Sequence, residues 1–234
     1  MREVDRIMVE EHHIQLIQMM ELAGKHLARF CLRQYLNHHT SANPLVVILA
    51  GTGGNGGGAL AAARHLSNNG ISCSVLLSKA SENYSSIPGK QLNILKHLNP
   101  PMHHWNHSGP GLKQDLAPDL IIDGLIGYSL HGDPYGTIAT MIDWANQQHC
   151  PVVSLDVPTG FDATDGTGYS PCIKADSTLT LALPKTGFQR KHARRFTGKI
   201  YLADIGVPPE VYSKSSLNTT VAHLFRYQDI IPLD

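Results

Sequence analysis

The sequence lacks the features that mark membrane, secreted and nucleic-acid-binding proteins. No apolar run in its 234 residues approaches the roughly 18 residues of a transmembrane span, and acids occupy the amino-terminal stretch where a signal peptide has its apolar core. Lys and Arg together number 19, as do Asp and Glu, so no basic excess favours a polyanion. We therefore expect a cytoplasmic protein that acts without a membrane and without nucleic acid as a partner.

Cysteine is also scarce. The sequence holds Cys31, Cys73, Cys150 and Cys172, which form no C-x-x-C pair and have no histidine nearby at ligand spacing. This arrangement argues against a zinc site and against a disulfide framework. We expect buried free thiols.

The most informative stretch covers residues 45–66 and reads LVVILAGTGGNGGGALAAARHL. Bulky apolar residues at 45–49 predict a buried strand, glycines crowd residues 51–58, and helix formers follow at 59–66. Glycine lets a ligand approach the main chain, and a helix start offers free N–H groups to an anion. The stretch predicts a phosphate-binding turn, with a merely tight connection as the alternative.

This glycine-rich turn, residues 51–58, also matches G-x-G-x-x-G at Gly51, Gly53 and Gly56. An ordinary NAD-dependent oxidoreductase would need an acid at the end of the second strand to hold the ribose, but residues 72–77 are followed by Ser78. A P-loop is excluded because no Gly-Lys-Ser/Thr follows. The turn is therefore expected to bind phosphate without the usual hydride-transfer site.

Apolar runs and helical segments alternate along the rest of the chain. Further strands are expected at residues 72–77, 120–122, 151–155, 175–183 and 199–204. Such alternation favours right-handed crossovers and a mainly parallel sheet, and the length suits one α/β domain. We expect a single domain over residues 1–234, with amino-terminal helices in residues 1–37 and a mostly irregular tail over residues 213–234.

Two acids stand at the ends of predicted strands. Asp123 follows one strand, and Asp156 follows the next and precedes a rigid Val-Pro-Thr-Gly turn. The carboxyl ends of parallel strands meet at one edge, so both acids should lie near the glycine-rich turn. A fixed carboxylate suits acid–base work, and Asn55, Asp123 and Thr159 offer oxygens to a hard cation. Each acid alone is equally compatible with a capping or turn role.

Seven segments then resemble one family in order and spacing. They are MREVDR, MELAG, AGTGGNGGGALAAARHL, DLIIDGLIG, VVSLDVPTGFDATDG, ADSTLTLALPKTG and GKIYLADIGVPP. The chain resembles the NAD(P)H-hydrate epimerases, the amino-terminal domain of bifunctional nicotinamide-nucleotide repair proteins, in a stand-alone form. The resemblance implies a three-layer α/β/α Rossmann-like fold, a homodimer, and epimerisation of the R and S forms of hydrated NADH or NADPH.

The resemblance also implies site residues. The implied substrate-binding residues form two loops and include one further acid. They are Gly54, Asn55, Gly56, Gly57 and Gly58 in the first loop, Gly127, Tyr128, Ser129, Leu130, His131, Gly132 and Asp133 in the second, and the acid Asp156. It implies a potassium ion held by Asn55, Asp123 and Thr159. We hypothesise that Asp156 is the catalytic acid–base. Lys185 matches a recurrent Pro-Lys pair, with a ligand contact and a structural role both open.

Three positions depart from the family pattern. Gly54 and Gly58 replace an Asn and an Asp of the family's loop, and Leu22 replaces the Asn of its MENAG segment. Losing a positioned polar group at a reaction centre commonly costs about 10²-fold or more in rate, so weakened catalysis is expected. The alternative is an inactive nucleotide-binding or dimeric scaffold module of the same fold. The retained acids and oxygen ligands favour the enzyme.

Overall fold

The computed structural model describes residues 2–37, 41–84, 86–105, 116–214 and 218–233. The strands are β1 Leu45–Ala50, β2 Ser72–Leu77, β3 Met102–His104, β4 Leu120–Gly124, β5 Val152–Leu155, β6 Ser177–Leu181, β7 Lys199–Ala203 and β8 Ile230–Pro232. The α-helices are α1 Arg2–Glu10, α2 Leu16–Cys31, α3 Gly54–Asn68, α4 Ser86–Lys96, α5 Gly136–Gln147, α6 Arg194–Thr197 and α7 Pro209–Lys214.

The strands form one sheet in the order β3-β2-β1-β4-β5-β6-β7-β8. All neighbouring pairs are parallel except β7 and β8, which are antiparallel. The predicted mainly parallel sheet is confirmed. Two edge strands were not predicted: β3 lies outside the predicted strands, and β8 lies in the tail that was expected to be mostly irregular.

Helices cover both faces of the sheet. Along β1, Val46 and Ile48 join a core cluster with residues of α2, α3 and α4, whereas Val47 and Leu49 pack against Met141 and other residues of α5. Successive residues of β1 thus point to opposite apolar layers, as expected for a strand buried on both faces. The expected α/β/α layering follows from this arrangement.

The chain reverses its direction of strand addition between β1 and β4. From β1 it adds β2 and then β3 on one side, and β4 then pairs with the other side of β1. Ligands of open α/β sheets bind at such a switch point, outside the carboxyl ends of the strands. Here the glycine-rich turn leaves β1 at this point.

Two of the boundaries that differ from the sequence prediction lie at the site. α3 begins at Gly54 and not at residue 59, because the buried glycines there let it pack closely: a Cβ on Gly24 of α2 would lie 2.7 Å from Gly58 O. β4 continues through Asp123, which pairs in the sheet with Leu49 and Ser154 and is fully buried. Asp123 is therefore inside the sheet and not at its edge.

Candidate functional site

A cavity of about 230 Å³ lies at the carboxyl end of the sheet beside the start of α3. Its wall is mostly apolar, with Leu16, Met19, Met20, Ala23, Ile87, Pro88, Leu155, Leu181 and Ile205. Its polar members are Asp5, Asn55, Ser86, Tyr128 and Asp156. An apolar cleft with a few convergent polar groups is the usual form of a small-molecule site. Another cavity, of about 390 Å³ beside the carboxyl-terminal segment, contains none of the predicted site residues.

The glycines of the turn have two different roles. A Cβ on Gly51 would overlap the carbonyl oxygen of Leu125, and a Cβ on Gly56 would overlap that of Gly51, so both allow close backbone packing. Gly57 likewise packs against Met20. Gly54, in contrast, is exposed with open space around its Cα and lines the cavity. Of the G-x-G-x-x-G pattern, the first and third glycines are thus explained by packing.

The start of α3 faces the cavity with unpaired main-chain donors. Gly53 is the N-cap and supplies no side-chain cap, and the first intrahelical bond of this turn runs from Gly57 N to Gly53 O at 3.1 Å. The N–H groups of the first helical turn have no intrahelical partner, and they lie at the positive end of the helix dipole. Gly54 and Asn55 bring this end of the helix into the cavity wall. The arrangement suits an anion.

Asn55 links the turn to two other segments of the site. Its amide Nδ2 donates to Leu155 O at 2.7 Å. Its Oδ1 lies so close to Gly127 that a Cβ there would be 2.6 Å away. Asn55 therefore lies between the residue preceding Asp156 and the loop that follows β4.

Asp123 and Thr159 bind each other beneath the cavity. The Thr159 hydroxyl donates to Asp123 Oδ1 at 2.6 Å, and Thr159 N and the Ser154 hydroxyl each donate to Oδ2 at 2.8 Å. Leu125 N also donates to Oδ1, at 3.2 Å. Burial raises the pKa of Asp123, and these hydrogen bonds oppose the rise. Both carboxylate oxygens thus accept two protein donors, which makes Asp123 a fixed link between β4 and the turn after β5.

Asp156 is held in an unusual conformation. Its φ is +66°, a region that non-glycine residues adopt at a cost of about 1–3 kcal/mol and mostly at functional sites. Lys185 Nζ lies 2.6 Å from its Oδ1, and the two side chains are only 6% and 4% exposed. Leu181 N and the Thr180 hydroxyl donate weakly to the same oxygen at 3.3 and 3.4 Å. Oδ2 has no partner among the described residues, and Asp156 lines the cavity.

The structure adds two site residues that sequence reasoning missed or left open. Lys185 is the partner of Asp156 and also donates to Leu181 O and Leu183 O at 3.0 and 3.2 Å, which favours the structural role. Asp5 of α1 enters the cavity and accepts a hydrogen bond from the Tyr128 hydroxyl at 3.1 Å. The MREVDR segment was the signal that pointed toward Asp5, but its pattern is also that of an ordinary amphipathic helix.

The second predicted loop reaches the cavity through one residue. Tyr128 lines it, and Gly127 contacts Asn55. Ser129, His131, Gly132 and Asp133 are exposed and Leu130 is half-buried, and none of these five lines the cavity. Asp133 instead accepts a hydrogen bond from Ser170 N at 2.9 Å.

The three departures from the family pattern lie in different surroundings. Gly54 and Gly58 line the cavity, and a Cβ on Gly58 would lie 2.7 Å from Leu155 Cδ2. Leu22 is outside the cavity wall and points toward Gly206. The two glycine positions are thus the departures that bear on the site.

The predicted potassium ligands have a suitable donor chemistry. Asn55, Asp123 and Thr159 offer amide, carboxylate and hydroxyl oxygens, which are the donors a hard cation prefers. Asn55 Oδ1 accepts no hydrogen bond from the described residues, whereas the oxygens of Asp123 are already hydrogen-bonded. The set therefore fits a cation with Asn55 as the open ligand, beside Asp123 and Thr159, which are hydrogen-bonded to each other.

Comparisons with known proteins agree with one another. A family model described as YjeF-related protein N-terminus matches residues 16–187. The NAD(P)H-hydrate epimerase of Dehalogenimonas lykanthroporepellens is 40% identical over 217 residues, which cover 93% of this chain and 84% of that protein. The bifunctional NAD(P)H-hydrate repair enzyme Nnr of Moorella thermoacetica is 31% identical over 229 residues, which cover 93% of this chain and 41% of that enzyme.

A solved structure also matches. The crystal structure of yeast ynu0 has a TM-score of 0.83 at 25% identity, and the match covers 99% of this chain and 96% of that one. The chain thus spans most of the single-function relative and about two fifths of the bifunctional one. No described helix combines the length and the apolar character needed to cross a membrane.

Proposed function

The chain belongs to the YjeF-related protein N-terminus family, and from this premise we propose that it epimerises NAD(P)H-hydrate in the cavity beside α3. The observation that carries the proposal is the 40% identity to a protein named NAD(P)H-hydrate epimerase over 93% of this chain. The resemblance of the seven sequence segments pointed to the same family. The substrate is the hydrated form of NADH or NADPH, and the reaction interconverts its R and S forms.

The cavity offers separate places for the parts of such a substrate. The apolar wall of α2 and the ends of β5 and β6 suits the hydrated nicotinamide ring, because ring carbons gain free energy on leaving water. The unpaired N–H groups at the start of α3 suit the pyrophosphate. Asp156, which is fixed by its backbone and by Lys185, then supplies the carboxylate for acid–base chemistry at the ring.

A potassium ion is a further part of the proposal. The buried carboxyl of Asp123 and the oxygens of Asn55 and Thr159 support it, because they surround the Leu125–Gly127 segment that carries Tyr128 into the cavity. When bound, the ion supplies positive charge near the phosphate end of the substrate. Rates measured in potassium chloride should exceed those in choline chloride at the same ionic strength, and equal rates would remove the ion from the proposal.

Direct observation of the epimer ratio tests the function. Substrate enriched in the S form is incubated with the protein, and chromatography that resolves the epimers follows the approach to equilibrium. We expect a rate well above buffer, and a large loss with Asp156→Asn, which keeps the side-chain shape. A wild-type rate equal to buffer would contradict the epimerase function.

The alternative function, an inactive nucleotide-binding or scaffold module, is supported by Gly54 and Gly58. These glycines leave the loop without two polar side chains. If catalysis is merely weakened, Gly54→Asn should raise the rate, because open space at this position admits the amide without a clash. A scaffold would show no rate before or after this change, although a thermal shift with ADP-ribose would still report nucleotide binding. Gly58→Asn is the contrasting variant, since Leu155 occupies the space beside Gly58.

A homodimer and a cytoplasmic location complete the proposal. The homodimer rests on the family resemblance and is tested by light scattering after gel filtration, where a monomer mass at micromolar concentration would contradict it. The cytoplasmic location is supported by the four free thiols, of which Cys31, Cys73 and Cys172 are buried.

A further inference from the structure

A second carboxylate, that of Asp5, enters the cavity from α1. Asp5 and Asp156 both line the cavity but come from different walls, α1 and the carboxyl end of β5. Asp5 also lies outside residues 16–187, which the family model matches. The apolar side of α1 is buried and fixes the helix over the cavity, through Val4, Ile7 and Met8.

The two carboxylates have contrasting surroundings. Asp156 is paired with the ammonium of Lys185 at 2.6 Å. Asp5 is bound instead by the neutral hydroxyl of Tyr128 at 3.1 Å. Burial raises the pKa of Asp5, as does the charge of Asp156, whereas Tyr128 and the charge of Lys185 oppose the rise. Two acids in one cavity, one bound to a cation and the other to a neutral hydroxyl, are suited to opposite roles in proton transfer.

We propose that Asp5 is the proton donor that acts together with Asp156 in the epimerisation, an inference that rests on the function proposed above. Asp5 protonates the departing oxygen of the substrate, and Asp156 accepts the proton of the incoming water. Tyr128 is the positioning residue that holds the Asp5 carboxyl toward the ring.

The chemistry of the substrate requires both roles. Water adds to the cyclic enamine of a dihydronicotinamide at the carbon next to the ring nitrogen, so inversion there requires a C–O bond to break and form again on the other face. The Asp5 carboxyl gives its proton to the hydroxyl oxygen, water leaves, and the nitrogen lone pair forms a C=N⁺ bond. A water then adds from the other face, its proton passes to Asp156 Oδ2, and the electron pair returns to nitrogen.

The cycle closes when a proton passes from Asp156 back to Asp5 through water. One water leaves and one is added, so no other reactant is needed. The reverse reaction follows the same steps with the two acids exchanging roles, as microscopic reversibility demands.

A purely structural role for Asp5, anchoring α1 through Tyr128, makes different predictions. Asp5→Asn still accepts the Tyr128 hydrogen bond but has no acidic proton to give. Tyr128→Phe removes the hydrogen bond but keeps the carboxyl. If Asp5 only anchors the helix, Tyr128→Phe should be the more harmful variant.

The test measures kcat and KM for epimer interconversion from pH 5 to pH 9 in the wild type and four variants. Asp5→Asn should lower kcat by about 10²-fold or more with KM little changed, and should abolish the loss of rate at high pH that reports deprotonation of Asp5. Asp5→Glu should restore part of the rate and shift that loss to another pH. Tyr128→Phe should cost less than tenfold, as expected for one positioning contact of about 1 kcal/mol, and Glu10→Gln, an exposed acid of the same helix, should behave as wild type.

Two results would overturn the inference while the function stands: an Asp5→Asn variant with the wild-type rate and pH profile, or one whose loss is no larger than that of Tyr128→Phe. If Asp5→Asn does not fold, the pH profile of Asp5→Glu decides, since an unshifted profile overturns the inference. A wild-type protein no faster than buffer would reject the proposed function and this inference with it. ADP-ribose binding, measured by thermal shift on each variant, separates lost chemistry from lost binding.

Discussion

Lys185 meets Asp156 through one carboxylate oxygen only: its Nζ lies 2.6 Å from Oδ1, while Oδ2 has no partner among the described residues. The pair is almost completely buried, so each charge depends on the other. The same contact therefore stabilises the fold and leaves one oxygen of Asp156 open to the cavity.

Lys185→Met should lower the free energy of unfolding by about 3 kcal/mol or more, because it leaves the buried Asp156 carboxylate without its cation. Urea unfolding at pH 7 measures the loss. Lys199→Met is the matched control, since Lys199 is exposed on β7 and should change stability by no more than about 0.5 kcal/mol. The double variant with Asp156→Asn should recover part of the loss, and full additivity would contradict a direct coupling.

Thr159→Val should cost about 2 kcal/mol, because the Thr159 hydroxyl both donates to Asp123 at 2.6 Å and accepts from Ile126 N at 3.0 Å. Thr159→Ser keeps the hydroxyl and should lose much less. Thermal unfolding of both variants, in potassium buffer and in choline buffer, measures these losses of stability. An equal loss in the two variants would contradict this expectation, because Thr159→Ser removes only the methyl group.

Gly24→Ala should destabilise the protein by about 1–3 kcal/mol despite the better helix propensity of alanine. The new Cβ would lie 2.5 Å from Ala61 Cβ and 2.7 Å from Gly58 O, so α2 and α3 would have to separate. Gly54→Ala tests the propensity alone, because nothing lies within 4 Å of a Cβ there. Melting temperatures measured by circular dichroism should differ clearly between the two variants, with only Gly24→Ala showing the large decrease. Similar shifts in both variants would refute the close-packing explanation.

Asp162 should make the acid stability of the protein pH-dependent. Burial alone would raise its pKa, but hydrogen bonds from Thr164 N, Asp165 N and the Tyr169 hydroxyl outweigh this effect and lower it. Its folded pKa thus lies below the unfolded value of about 3.9, so its contribution is complete above that pH and is lost as the pH falls through the folded pKa.

Asp162→Asn should therefore be about 1–2 kcal/mol less stable than wild type at pH 7, the scale of hydrogen bonds to a charged group. The two proteins should converge as the pH falls below about 3.9 and through the folded pKa of Asp162. Urea unfolding at intermediate pH values follows the difference. A gap that stays constant with pH would show that the charge of Asp162 contributes nothing.

β1 and the first three residues of β4 were predictable because they are apolar without interruption. β1 and β4 are buried on both faces of a parallel sheet, and such strands read as continuous apolar runs. β3 and β8 have three residues each, which is too short for such a run to be informative. Their placement depends on hydrogen bonds to β2 and β7, which no local pattern encodes.

The site was predictable where a residue stands at a strand end and less so where it arrives from a distant segment. Asp156 could be recognised from the strand and turn that flank it. Asp5 could not, because on α1 it resembles any acid of an amphipathic helix, and its contact with Tyr128 joins residues 123 positions apart. The contact between Asn55 and Gly127 was equally hidden, since it depends on how the loop after β4 folds back.

The antiparallel direction of β8 has a practical consequence for handling the protein. Pro232 pairs with Tyr201 and Leu233 N bonds to Ile200 O, near the amino end of β7, so the chain leaves the sheet on the side away from the cavity. Asp5, in contrast, lies in the first turns of α1 and lines the cavity itself. An affinity tag or a fluorescent fusion is therefore best joined after β8, where it is remote from the reacting groups.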